Sequence, residues 1–370
     1  SKNIASKDYF FNSIILLSEN NEVQNPTEWT VSLDSETNYK PQFVSNHYTK
    51  MWEILTQDIA NSIYLIHENG SILWKKKIGG TILGNIHQID RYKNNKLQYL
   101  FSTKDSIYLI DRKGNHVAPF PIKTRESISK PIALFDYDDN RNYRILVPMN
   151  NELDMYNAQG QKISGWEFVK TNSSITTTPE HYQVFNKDYI VISEENGVTY
   201  LLNRRGQLRA EVNQKLNRSN QTMSLIKGKN ISDSKLITIN NEGEVIALYF
   251  NGIIDTLKLQ NLEKHDQYIK TENYSLMIKA NKLLFSSDQN RFEYEFKTKP
   301  EHNPIVLHNN DSTIIFIRNK NENLIYMLNE KGESYSNPFF GTTEFSIKTG
   351  ETINLIVGSH EGIIYNYKVN

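Results

Sequence analysis

A turn glycine recurs at Gly70, Gly114, Gly160, Gly206 and Gly252, with steps of 44, 46, 46 and 46 residues. Each closes the same phrase of apolar strand and polar turn, and a second strand follows. Examples are Ile63-Tyr64-Leu65-Ile66-His67-Glu68-Asn69-Gly70, Ile107-Tyr108-Leu109-Ile110-Asp111-Arg112-Lys113-Gly114 and Leu153-Asp154-Met155-Tyr156-Asn157-Ala158-Gln159-Gly160. A unit of this length holds about four short strands and buries its faces only against copies of itself, so the period predicts a β-propeller.

After Gly252 the next marked glycine is Gly332, a gap of 80 residues that divides into two steps if one blade has lost its glycine. Residues 274–278, 282–285 and 292–296 read as strands, and in the turn at 286–290 Asp288, Gln289 and Asn290 take the glycine's place. Beyond Phe340 the segments 344–347, 353–357 and 363–369 supply three strands and no fourth. Residues 29–33 at the other end match the outer strands of later blades, where Trp74 and Trp166 also follow the turn glycine. The economical reading is an all-β chain folded as an eight-bladed β-propeller, with an N-terminal strand at 28–33 completing the C-terminal blade and removing two sheet edges. Seven blades follow instead if residues 274–296 are an insertion. One domain spans 1–370, with blades at about 37–78, 79–122, 127–168, 174–212, 222–259, 265–297, 303–340 and 343–369. Within a blade the order is inner, second, third and outer strand, as at 131–135, 143–147, 152–156 and 162–168 of the third.

Composition narrows the function classes. Lysine plus arginine equals aspartate plus glutamate at 42 each, so no net field favours nucleic acid or an anionic membrane. The absence of cysteine excludes disulfides, thiolate metal sites and a cysteine nucleophile from this stretch. Apolar runs such as 14–17 and 314–317 fall far short of the roughly 18 residues of a membrane-spanning helix. The chain opens at Ser1 with no apolar leader and reads as a processed product or the ordered part of something longer. With 21 tyrosines and 16 phenylalanines, the strand faces are rich in aromatic packing.

One loop carries a ligand-like pattern. Asp136, Asp138 and Asn140 place oxygen donors on alternate residues, as a calcium loop does, resembling the loops of integrin-type blades. Arg144 stands where the closing carboxylate belongs, so the rival reading is a solvated turn whose aspartates the arginine neutralises. The equivalent loop at 90–96 keeps Asp90 and replaces the later donors with bases. The nine histidines (47, 67, 87, 116, 181, 265, 302, 308 and 360) show no local metal-binding pair, and His87, beside an inner strand, is the best candidate for a site on the propeller axis. No nucleophile elbow, zinc-protease helix, phosphate loop or dinucleotide fingerprint occurs. The pair Glu194 and Glu195 falls in a turn, where solvation is expected. Lys75 to Lys77 and Arg204-Arg205 read as charge that protects an edge strand and a turn. No catalytic set and no cofactor are expected, and Gly70, Gly114, Gly160, Gly206, Gly252 and Gly332 are structural.

The phrase Asn69-Gly70-Ser71-Ile72-Leu73-Trp74 resembles the tryptophan-docking repeat of quinoprotein-like propellers, although the repeated alanine and aspartate before the turn are missing. A second likeness covers most of the chain. Trp74-Lys75-Lys76-Lys77-Ile78, Ile82-Leu83-Gly84-Asn85-Ile86-His87-Gln88-Ile89-Asp90 and Pro119-Phe120-Pro121-Ile122 are similar to a family of envelope β-propellers of Bacteroidota. The resemblance implies a periplasmic, non-catalytic scaffold or plug held at the outer membrane by its partner. That partner would be a secretion complex such as the type IX translocon, or another envelope protein. The loops at 87–95, 136–144 and 301–310 are then the expected contact points. The rival class is a small-ligand or metal-binding propeller, or an enzyme, with a composite axial site using His87 and Asp136.

Overall fold

The computed structural model describes residues 25–257, 262–263, 266–301, 303–308 and 312–369, so His265 and His302 and part of the 301–310 loop lie outside the described residues. Its strands form eight antiparallel sheets, seven of four strands and one of three, with no helix among the described residues. Blade 1 shows the plan: Gln42–Ser45 innermost, then Trp52–Gln57, Ser62–His67 and Ile72–Lys77. Blade 8 takes Phe345–Lys348, Ile353–Gly358 and Ile363–Val369 from the C-terminus and Thr27–Ser32 from the N-terminus. Trp29 pairs with Asn366 and Ser32 with Ile363, so the closing strand sits where the repeat pattern places it.

The apolar runs of the repeat follow from burial on both sheet faces. Ile63, Tyr64, Leu65 and Ile66 are fully buried: Ile63 and Leu65 join Tyr99 and Phe101 of blade 2, while Tyr64 and Ile66 join Ile356 and Ile364 of blade 8. A strand covered by neighbours on both sides has no polar face to alternate with. Each such aliphatic side chain contributes about 1.5–3 kcal/mol of burial. The outer strand Ile72–Lys77 is covered less and is correspondingly polar.

Every marked turn is the same device. In blade 1 the Gly70 N–H donates to the His67 carbonyl at 2.9 Å, the His67 N–H donates to the Ser71 carbonyl at 2.8 Å, and Gly70 has φ +87°. A side-chain oxygen three residues before the glycine reinforces several copies. Asn157 Oδ1 accepts from the N–H groups of Gln159 and Gln161 at 3.0 and 2.9 Å, and Asp111, Asn203 and Asn329 repeat the arrangement. These are Asx turns that hold the bend ready for the glycine. The glycine also makes room. A Cβ on Gly70 would stand 2.9 Å from the Trp29 ring, whose Nε1 donates to the Glu68 carbonyl at 2.6 Å. Trp74 covers Gly114 in the same way, its Nε1 donating to the Arg112 carbonyl at 2.8 Å. In these blades the outer strand therefore lays a bulky group on the next blade's turn.

Two details differ from the sequence reading. The turn of blade 6 is closed by a hydrogen bond from the Ser287 N–H to the Asn290 carbonyl, and none of Asp288, Gln289 and Asn290 has positive φ. They replace the glycine with a different turn. Blade 3 has no regular outer strand: only the isolated bridges Tyr156 to Lys162 and Glu152 to Lys170 remain. Between them the chain turns at Ile163 to Trp166 and brings Trp166 and Phe168 over Gly206 of blade 4. Docking on the neighbouring turn wins over the ladder.

Because strands alternate in direction, one face of the ring carries the inner-to-second and third-to-outer hairpins. The other carries the remaining hairpins and the blade-to-blade crossovers. We call them the hairpin face and the crossover face.

Candidate functional site

On the hairpin face, the loops of blades 2 and 3 at residues 90–97 and 136–143 are built alike, beside the shorter loop of blade 1 at 46–51. Asp90 accepts from the N–H groups of Asn94 and Asn95 at 3.0 and 2.7 Å, and Asp136 from those of Asn140 and Arg141 at 3.1 and 2.9 Å. Residues three and five positions after each aspartate, Lys93 and Asn95 or Asp139 and Arg141, adopt positive φ. The aspartate thus replaces the ladder bonds that the curled backbone forgoes.

Asp136, Asp138 and Asn140 each serve a separate partner in this arrangement. Asp136 closes its own loop, Asp138 pairs with Arg204 of blade 4 at 2.7 Å, and Asn140 Oδ1 accepts from the Asn142 N–H at 3.0 Å. The neutralising base is also a different one. Arg144 donates to the carbonyls of Asn142 and Tyr143, whereas Arg141 reaches the nearly buried Asp90 at 2.5 Å. No group of three or more His, Asp or Glu side chains suited to a metal occurs among the described residues.

The loops are laced together. Besides the Arg141–Asp90 pair, Lys93 Nζ donates to Asn142 Oδ1 at 2.7 Å and the Asp90 N–H donates to Tyr143 Oη at 3.1 Å. Arg112 of blade 2 forms a two-pronged pair with the buried Glu53 of blade 1. Arg204 joins Asp188, Asp138 and the Tyr137 carbonyl and lies 4.8 Å from the Tyr137 ring centre, so it is a structural clamp, not solvated turn charge. Glu194 is likewise buried, on the crossover face, accepting from the Asn172 and Ser173 N–H groups at 2.7 and 2.8 Å and from Tyr200. Sequence reading missed these roles, since all of these partners except Tyr200 lie more than a dozen residues away in the chain.

Large apolar groups stand on this laced edge. Tyr48 is 60% exposed, Tyr92 57%, Met51 48% and Trp52 36%. Tyr48 and Tyr92 flank a groove of about 390 Å³ between blades 1 and 2, bordered by His47, Lys96, Arg112, Lys113 and His116. Burial lowers the pKa of His47 and of His116, with Arg112 adding to the effect at His47 and Lys76 at His116, so both imidazoles resist protonation.

His87 occupies a second environment. It lies on the inner strand Leu83–Ile89 of blade 2, whose pairing shifts register between Leu83 and His87 around Gly84 at φ +70°. Pro131 packs so closely that a Cβ on Gly84 would stand 2.6 Å from it. Asn85 and His87 border two adjoining cavities. One, of about 460 Å³, lies among the inner-strand starts of blades 2 to 5, and the other, of about 540 Å³, among the inner strands of blades 8, 1 and 2. Burial lowers the His87 pKa, and a hydrogen bond with the Ile132 backbone offsets part of the effect. Asp136 borders neither cavity, so the structure does not bring the two expected axial residues together.

No family model matches the chain, and no curated protein is similar to it in sequence. Solved structures do match. BamB from Moraxella catarrhalis superposes with a TM-score of 0.61 at 13% identity, over 93% of this chain and 99% of that one. BBS1N, solved in complex with ARL6DN, gives 0.52 at 10% identity, over 94% and 98%. The dihydro-heme d1 dehydrogenase NirN in complex with DHE gives 0.52 at 10% identity, over 94% and 81%. The chain has the eight-bladed β-propeller fold. At these identities the likeness is one of architecture, and an architecture shared by a named dehydrogenase and a protein solved with a partner chain assigns no activity to this propeller.

Proposed function

We propose that this propeller is a non-catalytic scaffold that docks a protein partner through the hairpin face of blades 1 to 3. The supporting observation is the apolar edge of Tyr48, Met51, Trp52 and Tyr92, exposed on loops that ion pairs hold in place. Tyrosine and tryptophan supply much contact area for few rotatable bonds, and a braced loop loses little freedom on binding, so such an edge suits protein recognition. The sequence resemblance supports a partner at the outer membrane and a propeller in the periplasm. In its finer form it makes the propeller the plug of the type IX secretion translocon or of another envelope complex.

The test is site-specific photo-crosslinking in native cells followed by mild detergent extraction. A crosslinker replacing Tyr48 or Tyr92 captures one outer-membrane protein, and a crosslinker replacing the exposed outer-strand residue Leu73 does not. Recovery of an uncrosslinked monomer from all three positions overturns the proposal. The identity of the captured protein separates the type IX translocon from any other envelope complex.

A further inference from the structure

The axial cavities hold more positive charge than the ring itself uses. Lys130 and Arg218 border the one among blades 2 to 5, Lys40 and Lys348 border its neighbour, and Glu180 is the one carboxylate among the described lining residues. Glu180 is already committed. Its Oε2 pairs with Arg218 Nη1 at 2.5 Å, and its Oε1 accepts from Tyr182 Oη at 3.1 Å and the Met223 N–H at 3.0 Å. The ammonium groups of Lys40 and Lys130 meet no carboxylate among the described residues. Lys348 lies 5.2 Å from the centre of the Trp52 ring.

The same cavity holds two buried donors with nothing to donate to. Arg218 is 5% exposed and Thr177 8%, and Arg218 Nε and Thr177 Oγ1 have no hydrogen-bond partner. Buried donors are almost always satisfied, and a pair of them beside an uncompensated lysine has the chemistry of an anion cradle left open. The bulge at Gly84 adds to the shape of the site, since it alone among the inner strands interrupts the pairing with the second strand and sets Asn85 and His87 at the cavity wall.

We propose that the axial cavity between blades 2 and 5 binds a small oxyanion, a carboxylate or a phosphate, held by Arg218, Thr177 and Lys130. The 460 Å³ space accommodates a small organic acid or a phosphorylated metabolite, with Asn85 and His87 against its uncharged part. The site is independent of the docking edge, which lies on the hairpin face, while Lys130, Thr177 and Arg218 stand on crossover segments.

Isothermal titration calorimetry at low ionic strength, with inorganic phosphate and separately with citrate, tests it on the purified chain. Lys130→Gln and Thr177→Val are the informative variants, because neither side chain has a hydrogen-bond partner to lose; unchanged circular dichroism melting verifies that both fold. The wild-type chain should bind one equivalent of phosphate, citrate or both, and each variant should weaken that binding at least ten-fold. Phosphate alone or citrate alone assigns the ligand class. Absence of saturable binding with both probes overturns the proposal, as does binding that neither substitution weakens.

Discussion

Blades 1 to 4 and blades 5 to 7 are built on one repeat, but among the described residues only the first arc carries ion pairs on the hairpin face. In the first arc, the nearly buried carboxylates of Glu53, Asp90 and Asp188 meet Arg112, Arg141 and Arg204 on the hairpin face, where the exposed aromatics stand. In the second, Arg218–Glu180, Lys299–Asp266 and Arg318–Glu301 gather near the crossover segments, and blade 6 carries on its outer strands the open pair Lys282–Glu293. The turn glycines differ in parallel. Trp29, Trp74 and Trp166 cover those of blades 1, 2 and 4, while Gly252 is met by the backbone of Glu211 and Gly332 by Phe292. The hairpin face is stiffened where the exposed tyrosines stand, and the repeat alone does not decide where the ion pairs fall.

The largest expected effect concerns the braces. Arg112→Met strands Glu53, which is 1% exposed, and should cost about 3 kcal/mol in urea denaturation. Lys282→Met, removing a pair whose members are 43% and 48% exposed, should leave the stability nearly unchanged. Similar losses would erase the distinction between the arcs. The glycines come next. Alanine at Gly114 or Gly252 carries the left-handed strain of about 1–2 kcal/mol. At Gly252 its Cβ would also meet the Glu211 carbonyl oxygen at 1.8 Å, against 3.2 Å from the Trp74 ring at Gly114. Gly252→Ala should therefore lower the melting temperature more than Gly114→Ala. Equal shifts would mean that backbone conformation, not docking, is the whole demand on the glycine.

The smallest effect is acid sensitivity, and it too belongs to the first arc. His47, His87 and His116 all lie in blades 1 and 2, with pKa values below the ordinary 6.5, chiefly through burial. Well above pH 6.5 neither the folded nor the unfolded chain protonates them appreciably, and their full contribution to stability is present. Below it the unfolded chain takes up protons first, so stability falls as the pH drops through the folded values. Replacing all three by glutamine should flatten the stability profile between pH 7 and pH 5, the acidic limit being set by the range over which an imidazole titrates. An unchanged slope would move the acid-sensitive groups elsewhere, though not to Asp154, whose contribution is lost only at more acid pH because its folded pKa lies below the unfolded 3.8. Burial opposes its ionisation, but Lys162 and Arg125 outweigh that and keep its pKa below the usual carboxylate value.

Much of the architecture was legible in the chain. The spacing of Gly70 to Gly252 marked the hairpins, the unmatched strands at 353–357 and 363–369 called for a partner, and residues 29–33 offered one. The site was legible only in part. His87 could be placed on an inner strand, but its nearness to Lys130 and Arg218 depends on how four blades meet. The Asp136 loop showed its donors and hid their partners: Arg204 comes from the next blade, and Arg141 turns to Asp90, 51 residues earlier.

The sequence by itself determined the hairpins, their turns and the closing strand, because left-handed glycines, Asx oxygens and apolar runs act within a few residues of where they stand. Only the tertiary structure decided which tryptophan lies on which glycine, which arginine answers which buried aspartate and which cations share the axial cavity. Those pairings are set by the stacking of neighbouring sheets about 10 Å apart, a distance across which residues far apart in the chain become neighbours.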